Sequence, residues 1–305
     1  MRRACPLRGE TKPPGGRAVR FAGILSYPYA MHPILFEIGG YPVAAYGTAL
    51  LLAFVVGIAV AVWRARAQGL NADRVLDASM LILVSSILGA RLLWVVTHPE
   101  VFRPPQGTWL DAVNPFQSEG SFGIVGLSML GGVVLAVLGS VAFFAYHRLP
   151  VLPHVDVIMP SVLLGEGITR IGCFLNGCCF GLVCTAPWGV RFPEGSPAAE
   201  LFRGAAVHPT QLYTALLAFA SFAFLAWLAR RRPFPGALFF TSIVLVAGYR
   251  IALDFVRYYE SQVILFRAAG ADITINQAIS LGLVLAGVAG LAVFGRRHRL
   301  EAAGG

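Results

Sequence analysis

Seven stretches of this chain are apolar and long enough to cross a bilayer: about Val43–Trp63, Val75–Val96, Gly123–Tyr146, Val155–Arg170, His208–Leu228, Gly236–Phe255 and Ile273–Phe294. Crossing roughly 30 Å of hydrocarbon takes about 20 helical residues, and such a segment must satisfy its backbone hydrogen bonds internally. The pattern predicts an all-α polytopic membrane protein of seven transmembrane helices, the fourth short and glycine-rich. The two longest connections, about Thr97–Phe122 and Ile171–Val207, are expected to form small external caps, because long loops in compact folds tend to carry function. Only 13% of residues are charged, against about 25% in a soluble domain.

The net charge of +9 is almost all arginine, and its distribution sets topology. Arg64, Arg66, Arg74, Arg148 and Arg230–Arg231–Arg232 follow spans one, three and five, and Arg296, Arg297 and Arg299 follow the last. On the other side arginines alternate with acids. The positive-inside rule then puts the C-terminus in the cytoplasm and the segment after span four outside. Arginines that flank spans are read as membrane anchors, so no nucleic-acid partner is expected. Residues 1–30, basic and rich in proline and glycine, lack the apolar core of a signal peptide. They read as a disordered tail, or as sequence upstream of a start at Met31. Residues 31–296 are expected to form the membrane domain, and 297–305 a short cytoplasmic tail.

Charge within the spans points to a site. Gly165–Gly181 reads GEGITRIGCFLNGCCFG, with Glu166, Arg170, Asn176 and three cysteines after an apolar run. An arginine at bilayer depth is costly, by about 2.5–3.5 kcal/mol on insertion scales, and normally faces a cavity. Arg91 lies in span two. Arg250 and Asp254 share a helical face in span six, and Arg257 follows. Structural Arg–Asp pairing is one reading. Surplus guanidinium charge seeking an anion is the other, and in a membrane that anion is a phospholipid phosphate.

Cys173, Cys178, Cys179 and Cys184 are spaced by five, one and five, unlike the paired Cys-x2-Cys of zinc sites. Small packing residues or a disulfide to Cys184 are the expectations, with no metal and no cofactor. His208-Pro209-Thr210-Gln211-Leu212-Tyr213 opens span five, with proline where a helix tolerates it. His208 is either a proton acceptor or a hydrogen-bonded interfacial histidine, and Tyr46 and Tyr249 are polar groups in apolar spans.

Taken together, these motifs resemble the bacterial prolipoprotein diacylglyceryl transferases. The Arg170 segment is similar to that family's G-R-x-G-N-F-x-N-x-E-x-x-G, HPTQLY to its H-P-S-Q-L-Y, and GYRIALDFVR to its F-R-x-x-x-E-F-x-R. The segments around Tyr46, Arg91 and Gln277 also correspond, so the likeness runs from about His32 to Phe294. It implies a multi-pass protein of the bacterial inner membrane, acting at the external face. The implied reaction moves the diacylglyceryl group of phosphatidylglycerol onto the lipobox cysteine of a preprolipoprotein and releases glycerol phosphate.

By that resemblance Arg170 and Arg250 hold the phosphate and stabilise the leaving group, Asp254 orients Arg250, and Arg257 acts at the outer mouth. Gly172 and Gly181 let backbone approach the lipid, Asn176 and Tyr46 offer hydrogen bonds, and Arg91 and His208 complete the lipid site. Three positions depart from the family. Leu130 stands where it has a histidine before Gly-Gly, Cys173 where it has asparagine, and Cys178 where it has glutamate. A paralogous transferase with another acceptor or donor, or an inactive anionic-lipid binder, is the alternative.

Overall fold

The computed structural model describes residues 32–38, 41–102, 128–194, 196–231, 233–259, 264–268 and 271–304. The expectations for residues 1–30 and for most of Thr97–Phe122 lie outside the described residues.

In chain order the elements are β1 (Ile34–Ile38), β2 (Tyr41–Ala44), α1 (Ala45–Ala67), α2 (Ala72–Thr97), α3 (Met129–Tyr146), α4 (Val151–Leu175), α5 (Pro197–Phe202), α6 (Thr210–Ala229), α7 (Ala237–Asp254), β3 (Ile264–Ala268), β4 (Ala271–Thr274) and α8 (Ile275–Gly304). A 3-10 turn, Pro99–Phe102, follows α2. Among the described residues six helices have the length and apolarity of a membrane span, and α3 adds a shorter apolar one. The seven long helices match the seven apolar runs. Their side chains are largely exposed, as expected where lipid rather than protein covers them.

Two features differ from the sequence expectation. Each of α1 and α8 is entered directly from a short two-stranded sheet, β1–β2 and β3–β4, the second antiparallel. In the second, Ile264 pairs with Thr274 and Ala268 with Ala271. The fourth helix is not short: α4 has 25 residues and runs through the glycine-rich stretch to Leu175. Its glycines serve close packing rather than loose backbone. A Cβ on Gly172 would collide with the Ala49 side chain of α1, and one on Gly167 with the Phe219 ring of α6. Small residues at such crossings let membrane helices approach. Of the α4 apolar stretch 44% is buried, against 17% for α1, which makes α4 the helix that protein covers most.

The chain forms two compact units, and both α1 and α4 pass from one to the other. One unit holds Val43–Gly57 and Met159–Gly305, and the other Ile58–Ile158. The latter is cored by Ala61, Ala65, Val75, Ala78, Phe144 and Val157. There α2 and α3 pack backbone to backbone, since a Cβ on Gly131 would strike the carbonyl of Gly89. The larger unit has a core of Leu163, Leu225 and Leu238 among its long helices. It also has a separate aromatic cluster of Phe180, Phe192, Val190 and Val207 in the segment after α4, with Phe174, Phe202 and Tyr258 against it. That cluster is the core of the connection between α4 and α6.

Candidate active site

Helix α4 ends in a tight reversal that the sequence dictates. Gly177 adopts φ 71°, the left-handed conformation that glycine enters most easily. The Cys178 N–H then donates to the Cys173 carbonyl at 3.1 Å, and the Gly177 N–H to the Phe174 carbonyl at 3.1 Å. This pair of bonds is a Schellman cap, which brings the second residue past the helix end over the one five positions earlier. Cys178 is thereby folded back on Cys173. Cys179 follows with φ 65°, and the sulfurs of Cys173, Cys178 and Cys179 all lie within 4.8 Å of one another. The spacing that argues against a cluster is what a capped helix end converts into one. All three are free thiols, so the expected disulfide from Cys173 or Cys178 to Cys184 does not form in the structure.

The reversal is held from α6. Thr210 donates its hydroxyl to the Cys179 carbonyl at 2.8 Å, and Gln211 its amide to the Cys178 carbonyl at 2.7 Å. The motif that opens α6 thus acts through its Thr-Gln pair, roles that no local pattern announces. Beyond it, Gly181 bridges to Arg257, and the Leu182 N–H donates to the Val256 carbonyl at 2.8 Å. A Cβ on Gly181 would come within 2.5 Å of the Val256 oxygen and 2.6 Å of the His208 Cβ. Gly181 and Gly172 therefore leave room for neighbouring protein segments.

The charged residues assemble on the same unit. Arg170 pairs with Glu166 one turn earlier, at 3.6 Å, and Glu166 also accepts the Tyr249 hydroxyl at 2.5 Å. Tyr249 is thus the satisfied core tyrosine. Arg250, Asp254, Arg257, Tyr249, Tyr259 and Thr214 line a small cleft. No ion pair joins Arg250 to Asp254 among the described residues. Instead Asp254 Oδ2 accepts from the Thr274 hydroxyl at 2.9 Å, and Gln277 Oε1 accepts from the Thr274 N–H at 3.1 Å. Asp254 therefore ties α7 to the entry of α8, while sharing a cleft with Arg250. Arg257 stacks on Tyr259 at 5.3 Å, and its Nε is buried without a hydrogen-bond partner. Three guanidinium groups against two carboxylates leave positive charge for an anion.

Cys179 lies beside these cations. Hydrogen bonds from Cys173 and Cys178, then the fields of Arg257 and Arg170, hold its pKa below the usual thiol value against the opposing effect of burial. Asn176 directs its side chain to Cys178. Tyr46, in the first turn of α1, stands over Gly172 and beside Cys173 and Arg170. His208 is buried, with Nδ1 at 3.2 Å from the Tyr213 hydroxyl, and burial lowers its pKa. The hydrogen-bonded reading of this histidine fits better than the proton acceptor. Arg91 belongs to the other unit, where its guanidinium stacks on Trp94 and Phe102 at 5.3 and 5.4 Å. Leu130, also there, is 66% exposed.

A helical membrane protein with a cationic cleft beside a thiol cluster is the class that fold and site define. Residues 33–293 match the family model described as prolipoprotein diacylglyceryl transferase. The chain is 30% identical over 260 residues to a phosphatidylglycerol–prolipoprotein diacylglyceryl transferase of Dehalococcoides mccartyi, covering 85% of this chain and 88% of that protein. The protein of the same name from Clostridium tetani is 28% identical over 74% of this chain and 86% of its own length. That from Corynebacterium glutamicum is 32% identical over 70% and 68%. The chain belongs to the prolipoprotein diacylglyceryl transferase family.

Proposed function

We propose that this protein transfers the diacylglyceryl group of phosphatidylglycerol to the lipobox cysteine of a preprolipoprotein, in the bacterial inner membrane. The observation that carries the proposal is the gathering of Arg170, Arg250 and Arg257 on one unit, with Glu166 paired to Arg170 and Asp254 in the cleft that Arg250 and Arg257 line. In the reaction the acceptor thiol gives up its proton to water, and its sulfur bonds to the glycerol carbon of the diacylglyceryl group that carries the phosphate ester. The carbon–oxygen bond breaks, and glycerol phosphate leaves with the electron pair. Negative charge grows on the departing phosphate, and pre-placed guanidinium donors stabilise it most at that moment. Arg250 and Arg257 bind the phosphate from the cleft. Arg170, steered by Glu166, supplies charge from the α4 side, and Tyr46 offers a hydroxyl beside it.

The arginine-rich C-terminal end of α8 is assigned to the cytoplasm, and the cap with its thiols to the external face, where lipobox cysteines are presented. The test is transfer in phosphatidylglycerol vesicles to a lipobox peptide, read by mass. The wild type adds one diacylglyceryl group to a Cys peptide and none to its Ser counterpart. Arg250→Ala lowers the rate by about a hundredfold, the effect of removing one well-placed oxyanion donor. A wild type without transfer, or an Arg250→Ala variant at full rate, overturns the proposal. Leu130 in the family's histidine position favours a second reading, a transferase for another thiol acceptor, which the same assay separates by varying the peptide.

A further inference from the structure

We propose that Cys173, Cys178 and Cys179 form a three-thiolate site for a thiophilic divalent cation of the zinc class, whose fourth coordination position takes the acceptor cysteine. The inference about the fourth position rests on the transferase reading; the metal site itself does not.

The geometry comes first. Thiolates at about 2.3 Å from a tetrahedral ion sit about 3.8 Å apart. The three sulfurs already lie within 4.8 Å of one another, so rotations of about 1 Å at the sulfurs close the site without moving backbone. The backbone is fixed for this purpose. The Schellman cap sets Cys178 over Cys173, and Thr210 and Gln211 clamp the carbonyls of Cys179 and Cys178 from another helix. Sites held by a second set of contacts bind metal with less reorganisation. Cys173 is buried, while Cys178 and Cys179 are partly exposed, so the cluster keeps an accessible side. Cys184, whose N–H pairs with the Ala206 carbonyl, is not among the three.

The charge balance agrees. Three thiolates and one divalent ion carry a single negative charge. The guanidinium groups of Arg257 and Arg170 lie beside Cys179 and partly offset that charge, while Arg250 faces the phosphate. Three protein ligands with one position open is the composition of catalytic rather than structural zinc sites. The proposed reaction alkylates a thiol, and a zinc-class ion binds a thiol as thiolate. The acceptor S–H releases its proton to water on binding the ion. The metal-held sulfur then bonds to the glycerol carbon as the phosphate oxygen leaves with its electron pair. The site supplies acceptor activation on the same unit as the phosphate-binding arginines, and two of its three positions, Cys173 and Cys178, are where this chain departs from the family pattern.

The experiment uses the full chain purified in detergent without chelator. Elemental analysis is expected to find about one zinc per chain. Cadmium added to the metal-stripped protein is expected to give a thiolate-to-metal charge-transfer band of three-sulfur intensity. Cys178→Ser reduces metal content at least tenfold, while Cys184→Ser retains it. Protein with no metal and no cadmium band, or a disulfide within the trio in the protein as isolated, overturns the inference. Because Cys178→Ser can disturb the cap, the cadmium band of the wild type stands as evidence independent of any variant. In the vesicle assay, chelation stops transfer and zinc restores it. Transfer that continues at full rate without metal overturns the inference and leaves the transferase reading standing. Metal binding without any transfer supports the site and removes the transferase reading.

Discussion

Gln211, in the first turn of α6, donates its side-chain amide at 2.7 Å to the carbonyl oxygen of Cys178, 33 residues earlier in the chain. Gln211 is 1% exposed, so nothing but protein can replace that bond. Removing one partner of a buried hydrogen bond costs about 1–3 kcal/mol. Gln211→Met keeps most of the volume and removes the donor. It is expected to lower stability by that amount in detergent unfolding and to slow lipid transfer, because the thiol reversal loses half its clamp. Thr210→Val, which frees the Cys179 carbonyl, should act in the same direction.

Gly181 and Gly248 form a matched pair of tests. A Cβ on Gly181 has the Val256 oxygen at 2.5 Å and the Thr210 Cγ2 at 2.8 Å, whereas one on Gly248 meets nothing within 4 Å. Overpacking of this kind costs about 1–3 kcal/mol. Gly181→Ala should destabilise the protein and reduce transfer, since the displaced strand carries Arg257 through its bridge to Gly181. Gly248→Ala, one residue from Tyr249, should leave both unchanged. Thermal unfolding and initial rates of the two variants decide the matter.

The seven helices were legible as apolar runs because a bilayer demands length and apolarity from every span. The short sheets were not. Strands such as Ile34–Ile38 and Ala271–Thr274 are too short to show alternation against the apolar background of a membrane protein. The arginines of the site declared themselves by the cost of charge at depth, but their partners did not. Sequence spacing suggested Asp254 for Arg250, and the fold adds the Thr274 hydroxyl as a donor to Asp254. The thiol trio was hidden for a more specific reason. A spacing of five brings two cysteines together only when the helix runs to Leu175 and Gly177 caps it, and the run of glycines suggested an earlier end.

Glu166 serves two partners, Arg170 at 3.6 Å and the Tyr249 hydroxyl. Glu166→Leu should be the most damaging change at this node, because it leaves a buried hydroxyl and a guanidinium without their acceptor. Glu166→Gln keeps an acceptor for Tyr249 and loses only the ion pair. Tyr249→Phe loses only the hydroxyl. Residues within one such network couple by about 0.5–3 kcal/mol. A double-mutant cycle of Glu166→Leu and Tyr249→Phe, each of which removes the hydrogen bond, should return a coupling in that range on unfolding stability. Simple additivity would mean that the hydrogen bond contributes nothing.

His208 gives the protein a pH dependence with a definite sign. The ring is buried, Nδ1 contacts the Tyr213 hydroxyl at 3.2 Å, and burial holds the folded pKa below the ordinary 6.5. The unfolded chain takes up a proton near 6.5, and the folded protein resists it until lower pH. Between those values the unfolded state binds more protons, so stability rises with pH there. The contribution is complete above about 6.5 and is lost as pH falls through the folded value. Unfolding temperatures at pH 7.5 and 5.0 should therefore differ more for the wild type than for His208→Asn, whose amide keeps a polar contact for Tyr213 without titrating. The variant should also keep substantial transfer activity at neutral pH, because His208 is expected to fill space beside Gly181 rather than accept the thiol proton. An unchanged pH slope in His208→Asn would assign the acid sensitivity to another group, and a complete loss of transfer would return the histidine to the chemistry.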